Sequence, residues 1–294
     1  MKNPIKKILL GASVVVSVSA IATNSAWAGT LKATNIEFNT DNFQTYNGPD
    51  NSDISQRDEA QAIQALTDDS LYTNVELWAF GEDVLENVGF SANLGSHQVT
   101  VETVTGADWA IFGQQWLDDF LGAYNLTNVV TANQYQQALT SLTTLGRPRS
   151  GDPNISNLTL NEETGEIEIG LIGHYDLTER LTKPEHFHTW QSDPIMYSVK
   201  AFLDGGFIPG PIQISEIAKV TVDGEVNWVY SFNAVETNTI AADAKDKTSH
   251  TGYYSKTIKV ASNEPGEKVP EPSALLGLVV VGGVFATRRK FKKA

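Results

Sequence analysis

The sequence predicts an α+β fold: a largely antiparallel β-sheet with a few segregated amphipathic helices. Two observations carry this. Apolar residues recur at spacings of three and four between residues 107 and 142. Over most of residues 155–260 they alternate, or form short runs bounded by turn residues. Helices and strands therefore fall in separate stretches of chain, the pattern of an α+β domain rather than a doubly wound sheet.

The elements follow in chain order. Ser55 opens the first helix candidate, with Asp58 three residues on and Ala60, Ile63 and Leu66 on one face. His97 to Val104 reads as a strand. The second helix runs from about Ala107 to Tyr124, where Trp109, Phe112, Trp116 and Phe120 form a stripe widened by Leu117 and Leu121. Thr131 begins the third, with Gln134 placed to reach back to it in a capping box. Residues 146–154 form a long loop rich in glycine and proline. Leu158 to Leu160 and Ile167 to Ile172 flank a polar turn around Glu163 and Gly165, which predicts a hairpin. Tyr197 to Leu203 reads as a strand. Val220 to Val222 and Val226 to Phe232 flank Asp223-Gly224, a strong hairpin turn signal. Val226, Trp228, Tyr230 and Phe232 alternate onto one face, and Tyr253 to Val260 supplies a last strand. A boundary at the 146–154 loop would leave an N-terminal piece with few strands, so residues 29–262 are expected to form one domain.

Both ends carry targeting patterns. Lys2, Lys6 and Lys7 precede an uncharged run from Ile8 to Ala22. Ala26 and Ala28 then supply small residues at the −3 and −1 positions before Gly29. That order predicts a signal peptide over residues 1–28, removed by signal peptidase. At the other end, residues 263–269 form a linker, and Pro270-Glu271-Pro272 introduces an uncharged, mostly apolar run over about 273–287. Fifteen helical residues reach about 22 Å against roughly 30 Å of hydrocarbon. The closing Arg288, Arg289, Lys290, Lys292 and Lys293 can snorkel to extend that reach. They also act as a membrane stop on the cytoplasmic side. A single C-terminal transmembrane helix is expected.

Pro270, Glu271 and Pro272, the glycine-bearing apolar run and the Arg288-Arg289-Lys290 cluster together resemble the PEP-CTERM sorting signal. The resemblance covers about 26 residues. It implies recognition by an exosortase, a membrane protease of Gram-negative bacteria including cyanobacteria, and transfer to the cell surface or extracellular matrix. Residues 151–156 and 170–174 also resemble cyanobacterial members of this sorted class. No activity of the ectodomain follows from either likeness. An LPxTG motif, which a Gram-positive sorting signal needs, is absent.

The chain's net charge of −14 argues against a sequence-independent nucleic-acid binder, which needs a basic face. Without the two ends, 13 basic and 34 acidic residues remain, a net −21 over residues 29–269. Such a body stays soluble and attracts cations. The absence of cysteine excludes disulfides, thiolate metal sites and cysteine nucleophiles. The sequence has no GxSxG elbow, HExxH helix, phosphate loop or GxGxxG.

His186 and His188 are the only close histidine pair, and in a strand they would face one side. Glu185, His174 or Asp176 would have to complete a metal site, and two ligands alone specify none. Asp50 and Asp53 begin a calcium-like stretch that fails at Ile54 and Ser55, where an EF-hand needs a ligand and a glycine. Trp109, Trp116 and Trp228 belong to apolar faces. Trp190 fits no pattern and is the candidate sugar contact. No catalytic residue, metal ligand or cofactor is assigned. The expected function is that of an exported, non-catalytic surface or matrix protein. The alternatives are an extracellular carbohydrate-binding or adhesive module and a secreted hydrolase with an unrecognised site.

Overall fold

A computed structural model describes residues 29–48, 51, 53–79, 87–144, 152–184, 194–208, 210–243 and 248–260. The N-terminal part is built from β1 (Thr30–Lys32), β2 (Thr34–Phe38), β3 (Phe43–Asn47), β4 (Asp53–Gln56), α1 (Glu59–Thr67), β5 (Asn74–Leu77), β6 (Gly89–Leu94) and β7 (His97–Glu102). Two long helices follow, α2 (Gly106–Ala123) and α3 (Ala132–Thr144). The remainder comprises β8 (Asn154–Asn161), β9 (Glu166–Gly173), α4 (Thr178–Thr182), α5 (Pro194–Asp204), β10 (Ala218–Val222), β11 (Glu225–Val229), β12 (Val235–Glu236) and β13 (Gly252–Lys259).

The strands form two sheets. One runs β12-β13-β9-β8-β5-β3-β4, with β1 also on β8; the other runs β11-β10-β7-β6-β2. Sequence neighbours such as β6 and β7, β8 and β9, and β10 and β11 pair antiparallel as hairpins. In the last of these, Asp223 and Gly224 both take positive φ, 50° and 87°, the backbone that a two-residue turn between right-twisted strands requires.

The sheets meet where Phe38 of β2 stacks on Phe43 of β3 with ring centroids 4.2 Å apart. Val75, Leu77, Ile155, Leu158, Ile167 and Ile169 of the larger sheet are buried, as are Phe90, Ala92, Val99, Val101 and Val220 of the smaller. Alternation sends these side chains to one face of each strand, so each sheet has one apolar side.

A second core lies around α2. Its predicted stripe of Trp109, Phe112, Trp116, Leu117, Phe120 and Leu121 is buried. Phe112 stacks on Trp228 at 4.4 Å, while Trp116 and Phe120 both meet Phe232 edge-on. Three of the four residues predicted to alternate onto one face therefore do pack together, but Val226 is exposed. Ala138 and Leu142 of α3, Leu181 of α4, and Met196, Val199 and Phe202 of α5 close this core. The Thr131–Gln134 capping box is present: each backbone N–H donates to the other's side-chain oxygen, at 2.9 and 3.3 Å.

Three expectations need correction. Ser55 does not open a helix; it lies in β4, opposite Thr45. Arg57 turns into the left-handed region at φ 57° and ends that strand. Asp58 then caps α1 by accepting the Gln61 N–H. Residues 197–203 are not a strand but the body of α5. Pro194 suits the first helical position, and Met196, Val199 and Phe202 share a buried face at helical spacing. The helices are also less segregated than expected. Seven strands precede α2, and α4 and α5 interrupt the strands of the second half. The fold is mostly antiparallel sheet with a few helices. Among the described residues no helix is long and apolar enough to cross a membrane. The segments 1–28 and 263–294 lie outside the described residues.

Candidate functional site

A polar layer lies on the outer face of the larger sheet. Register aligns Gln56 of β4, Gln44 of β3, Glu76 of β5 and Asn154 of β8 in one row. Tyr46 and Asn74 form the next row on the same face. Phe43, Thr45, Val75 and Leu77 alternate with them and point to the other side, so this polar face follows from the pleat.

Hydrogen bonds run through the layer. The Tyr46 hydroxyl donates to Glu76 Oε2 at 2.8 Å. The Gln44 amide donates to the Tyr46 oxygen at 2.8 Å and to Asp243 Oδ2 at 3.3 Å. The Asn154 backbone N–H donates to Glu216 Oε2 at 3.0 Å. Glu76, Asp152 and Glu216 are half-buried and near enough to repel one another. Burial, then the Asp152 charge, pushes the Glu76 carboxyl up to about 7, and the Tyr46 hydrogen bond only partly opposes this. The same causes, with the Glu76 charge added, hold Glu216 well above the usual carboxylate range despite the Arg180 charge. Burial and the Glu76 carboxylate raise the Tyr46 phenol far above its ordinary value, so the hydroxyl keeps its proton, donating it to Glu76 while its oxygen accepts from Gln44.

His250 sits behind these acids, buried, with its ring edge-on to Tyr46 at 4.3 Å. The protonation of its two nitrogens follows from a chain of donors. Asn74 Nδ2 donates to the Tyr72 carbonyl, so Asn74 Oδ1 faces Asn154 Nδ2 at 2.7 Å. The second Asn154 amide proton points to His250 Nε2 at 3.1 Å, which must accept. The imidazole proton therefore resides on Nδ1, where Asn51 lies at 3.3 Å. Asn51 is fully buried, and its Oδ1 gains a donor when the amide turns that oxygen to Nδ1–H. A second proton on His250 would face the anchored Asn154 amide. Burial in this setting lowers the His250 pKa to about 4.

Chemically, the layer holds protons and fixes the chain between β12 and β13 against the sheet. Among the described residues no group of three or more histidines, aspartates or glutamates is arranged to hold a metal ion. His174 is buried at the neighbouring connection. Arg180 can only donate, so His174 Nε2 accepts from it at 2.8 Å and Nδ1–H donates to Thr248 at 3.1 Å. Asp176 accepts the N–H groups of Thr178 and Ile212. Neither residue is free to complete a metal site. His186, His188, Glu185, Asp50 and Trp190 lie outside the described residues, as do Ala26, Ala28, Pro270, Glu271, Pro272, Arg288, Arg289, Lys290, Lys292 and Lys293. Asp53 is exposed in β4. Trp109 and Trp116 are core residues, as expected.

A cleft of about 490 Å³ opens between α4 and α5. Residues 197, 200, 201 and 204 line one wall at the i, i+3, i+4, i+7 spacing of a single helix face. Leu181 and Pro184 belong to the other wall. Tyr197 is 62% exposed. Lys200 pairs with Asp204, and Lys183 with Glu179, each one helical turn apart.

Sequence reasoning missed both features. The alternation of polar and apolar residues in Phe43–Asn47 and Asn74–Leu77 was the available signal for the layer. No protein-family model, no curated protein and no solved structure matches this chain.

Proposed function

We propose that the chain is an exported, non-catalytic protein of the cell surface or extracellular matrix. Signal peptidase removes residues 1–28, a helix over about 273–287 holds the tail in the membrane, and an exosortase acts on the Pro270-Glu271-Pro272 signal. One observation carries the reading furthest: the first and last described strands lie between the two proposed processing signals. β1 begins at Thr30, two residues beyond Ala28, and the Gly29 carbonyl accepts the Glu162 N–H at 2.9 Å. β13 ends at Lys259, ahead of the linker that leads to Pro270. Cleavage at either signal removes no described strand. The converging carboxyls of Glu76, Asp152 and Glu216 would be the starting point for a hydrolase. Here Glu76 and Glu216 accept hydrogen bonds from Tyr46 and the Asn154 backbone, which supports a structural role.

N-terminal sequencing of the surface-exposed form tests the proposal. The expected N-terminus is Gly29, with a mass that lacks the tail. Surface material that retains Met1 would overturn it.

A further inference from the structure

We propose that the cleft between α4 and α5 binds a neutral sugar unit, with the Tyr197 ring as the platform on which the sugar stacks. This rests on the reading of the chain as an exported surface protein, for which polysaccharide is the ligand at hand.

The argument begins with α5. Met196, Val199 and Phe202 occupy one face of this helix and are buried in the second core. A helix fixed by that face needs nothing more than solubility from its remaining surface. Yet Tyr197 and Ala201 put an aromatic ring and a small residue on the outward face, with Lys200 and Asp204 beside them. A half-exposed tyrosine over a concave surface offers a rigid apolar plane with a polar tip. Leu181 and Pro184 add apolar surface opposite.

Charge selects the ligand class. The body is strongly acidic, but this cleft is locally balanced. Lys200 is neutralised by Asp204 and Lys183 by Glu179. With each lysine facing a carboxylate, these pairs give the cleft no net charge that would favour an anionic or a cationic ligand. A polyhydroxylated neutral ring needs none: its hydroxyls accept from an ammonium and donate to a carboxylate of the same pair. Its apolar C–H face covers the Tyr197 ring. The volume falls within the range of small-molecule sites.

The test uses the full-length chain purified in detergent, applied to an array of neutral, anionic and cationic glycans. Wild type is expected to retain neutral glycans, and Tyr197→Ala to weaken that binding at least 10-fold. Tyr197→Phe keeps the ring and is expected to stay within about 3-fold of wild type, because stacking tolerates loss of the hydroxyl. Tyr197 lies outside the buried core, so thermal melts of both variants should match wild type. Absence of neutral-glycan binding, binding confined to charged glycans, or binding indifferent to Tyr197→Ala would each overturn the proposal. A Gly29 N-terminus on the surface form combined with no glycan binding would leave the sorting reading standing and remove this one alone.

Discussion

At the scale of single residues, the polar layer sets two titrations against each other. His250 has a pKa of about 4 in the fold against about 6.5 in an unfolded chain. The unfolded state therefore takes up the proton first as pH falls. Its contribution is complete above pH 6.5 and is lost between 6.5 and about 4, to the extent of about 3 kcal/mol at 1.36 kcal/mol per unit. Glu76 runs the other way. Its pKa rises from about 4.5 unfolded to about 7 folded, so the fold holds the proton more tightly. That contribution is complete below pH 4.5 and is lost as pH rises through about 7. Denaturant melts from pH 4 to 8 separate the two. His250→Gln should flatten the acid limb between pH 6.5 and 4, whatever its cost at pH 7. Glu76→Gln should leave stability at pH 4 unchanged and raise it by about 1–3 kcal/mol at pH 8. An acid limb that survives His250→Gln would assign the acid sensitivity to other groups. None of this was legible in the sequence. His250 stands more than 90 residues from its partner Asn154 and almost 200 from Asn51, with no spacing that links them.

At the scale of elements, what the sequence disclosed depended on whether a segment's apolar period was unambiguous. The α2 stripe of large aromatics has helical spacing over five turns, and its buried face matches the expected one. Its start is fixed by a feature that the periodicity did not show. Thr105 and Asp108 form a capping box, with the Thr105 N–H on Asp108 Oδ2 at 2.9 Å and the Asp108 N–H on Thr105 Oγ1 at 3.3 Å. Asp108 also lies 3.5 Å from Lys219 of β10, so the cap ties the helix to the smaller sheet. Burial alone would raise the Asp108 carboxyl, but hydrogen bonds from Thr105 and Asn87 outweigh it and hold the group below its usual range. Thr105→Ala should therefore cost about 0.5–2 kcal/mol in a denaturant melt, towards the upper end because the site is buried. A change within error would show that the Asp108 contacts to Asn87 and Lys219 fix the helix start unaided. α5 failed as a sequence reading because Tyr, Val and Phe favour strands, and a seven-residue window hid the three-residue recurrence that Pro194 begins. The early strands β1 to β5 were missed because each spans only three to five residues, too few for alternation to stand out.

At the scale of the whole molecule, the antiparallel character was legible from hairpin turns such as Asp223-Gly224, which join strands local in sequence. The division into two sheets was not, because pairs such as β5 with β8 and β7 with β10 join strands far apart in sequence. Order along the chain carries the sorting reading instead, and its test separates two kinds of physics. In the proposed reading, the apolar run over 273–287 and the basic cluster from Arg288 to Lys293 would hold the tail through hydrophobic transfer and charge placement. Pro270, Glu271 and Pro272 add almost nothing to either. Two prolines around one residue restrict the backbone to extended forms and remove two amide donors, which suits a segment bound in a protease groove. β13 ends eleven residues before Pro270, so substitution there touches no described strand. Replacing Pro270, Glu271 and Pro272 with Ala should leave export and membrane association intact and block release of the tail. Neutralising Arg288, Arg289, Lys290, Lys292 and Lys293 should instead let the tail slip through the membrane. Fractionation and the mass of the surface form distinguish the two. Normal maturation of the triple alanine variant would reduce the tail to an anchor and remove the basis for exosortase sorting.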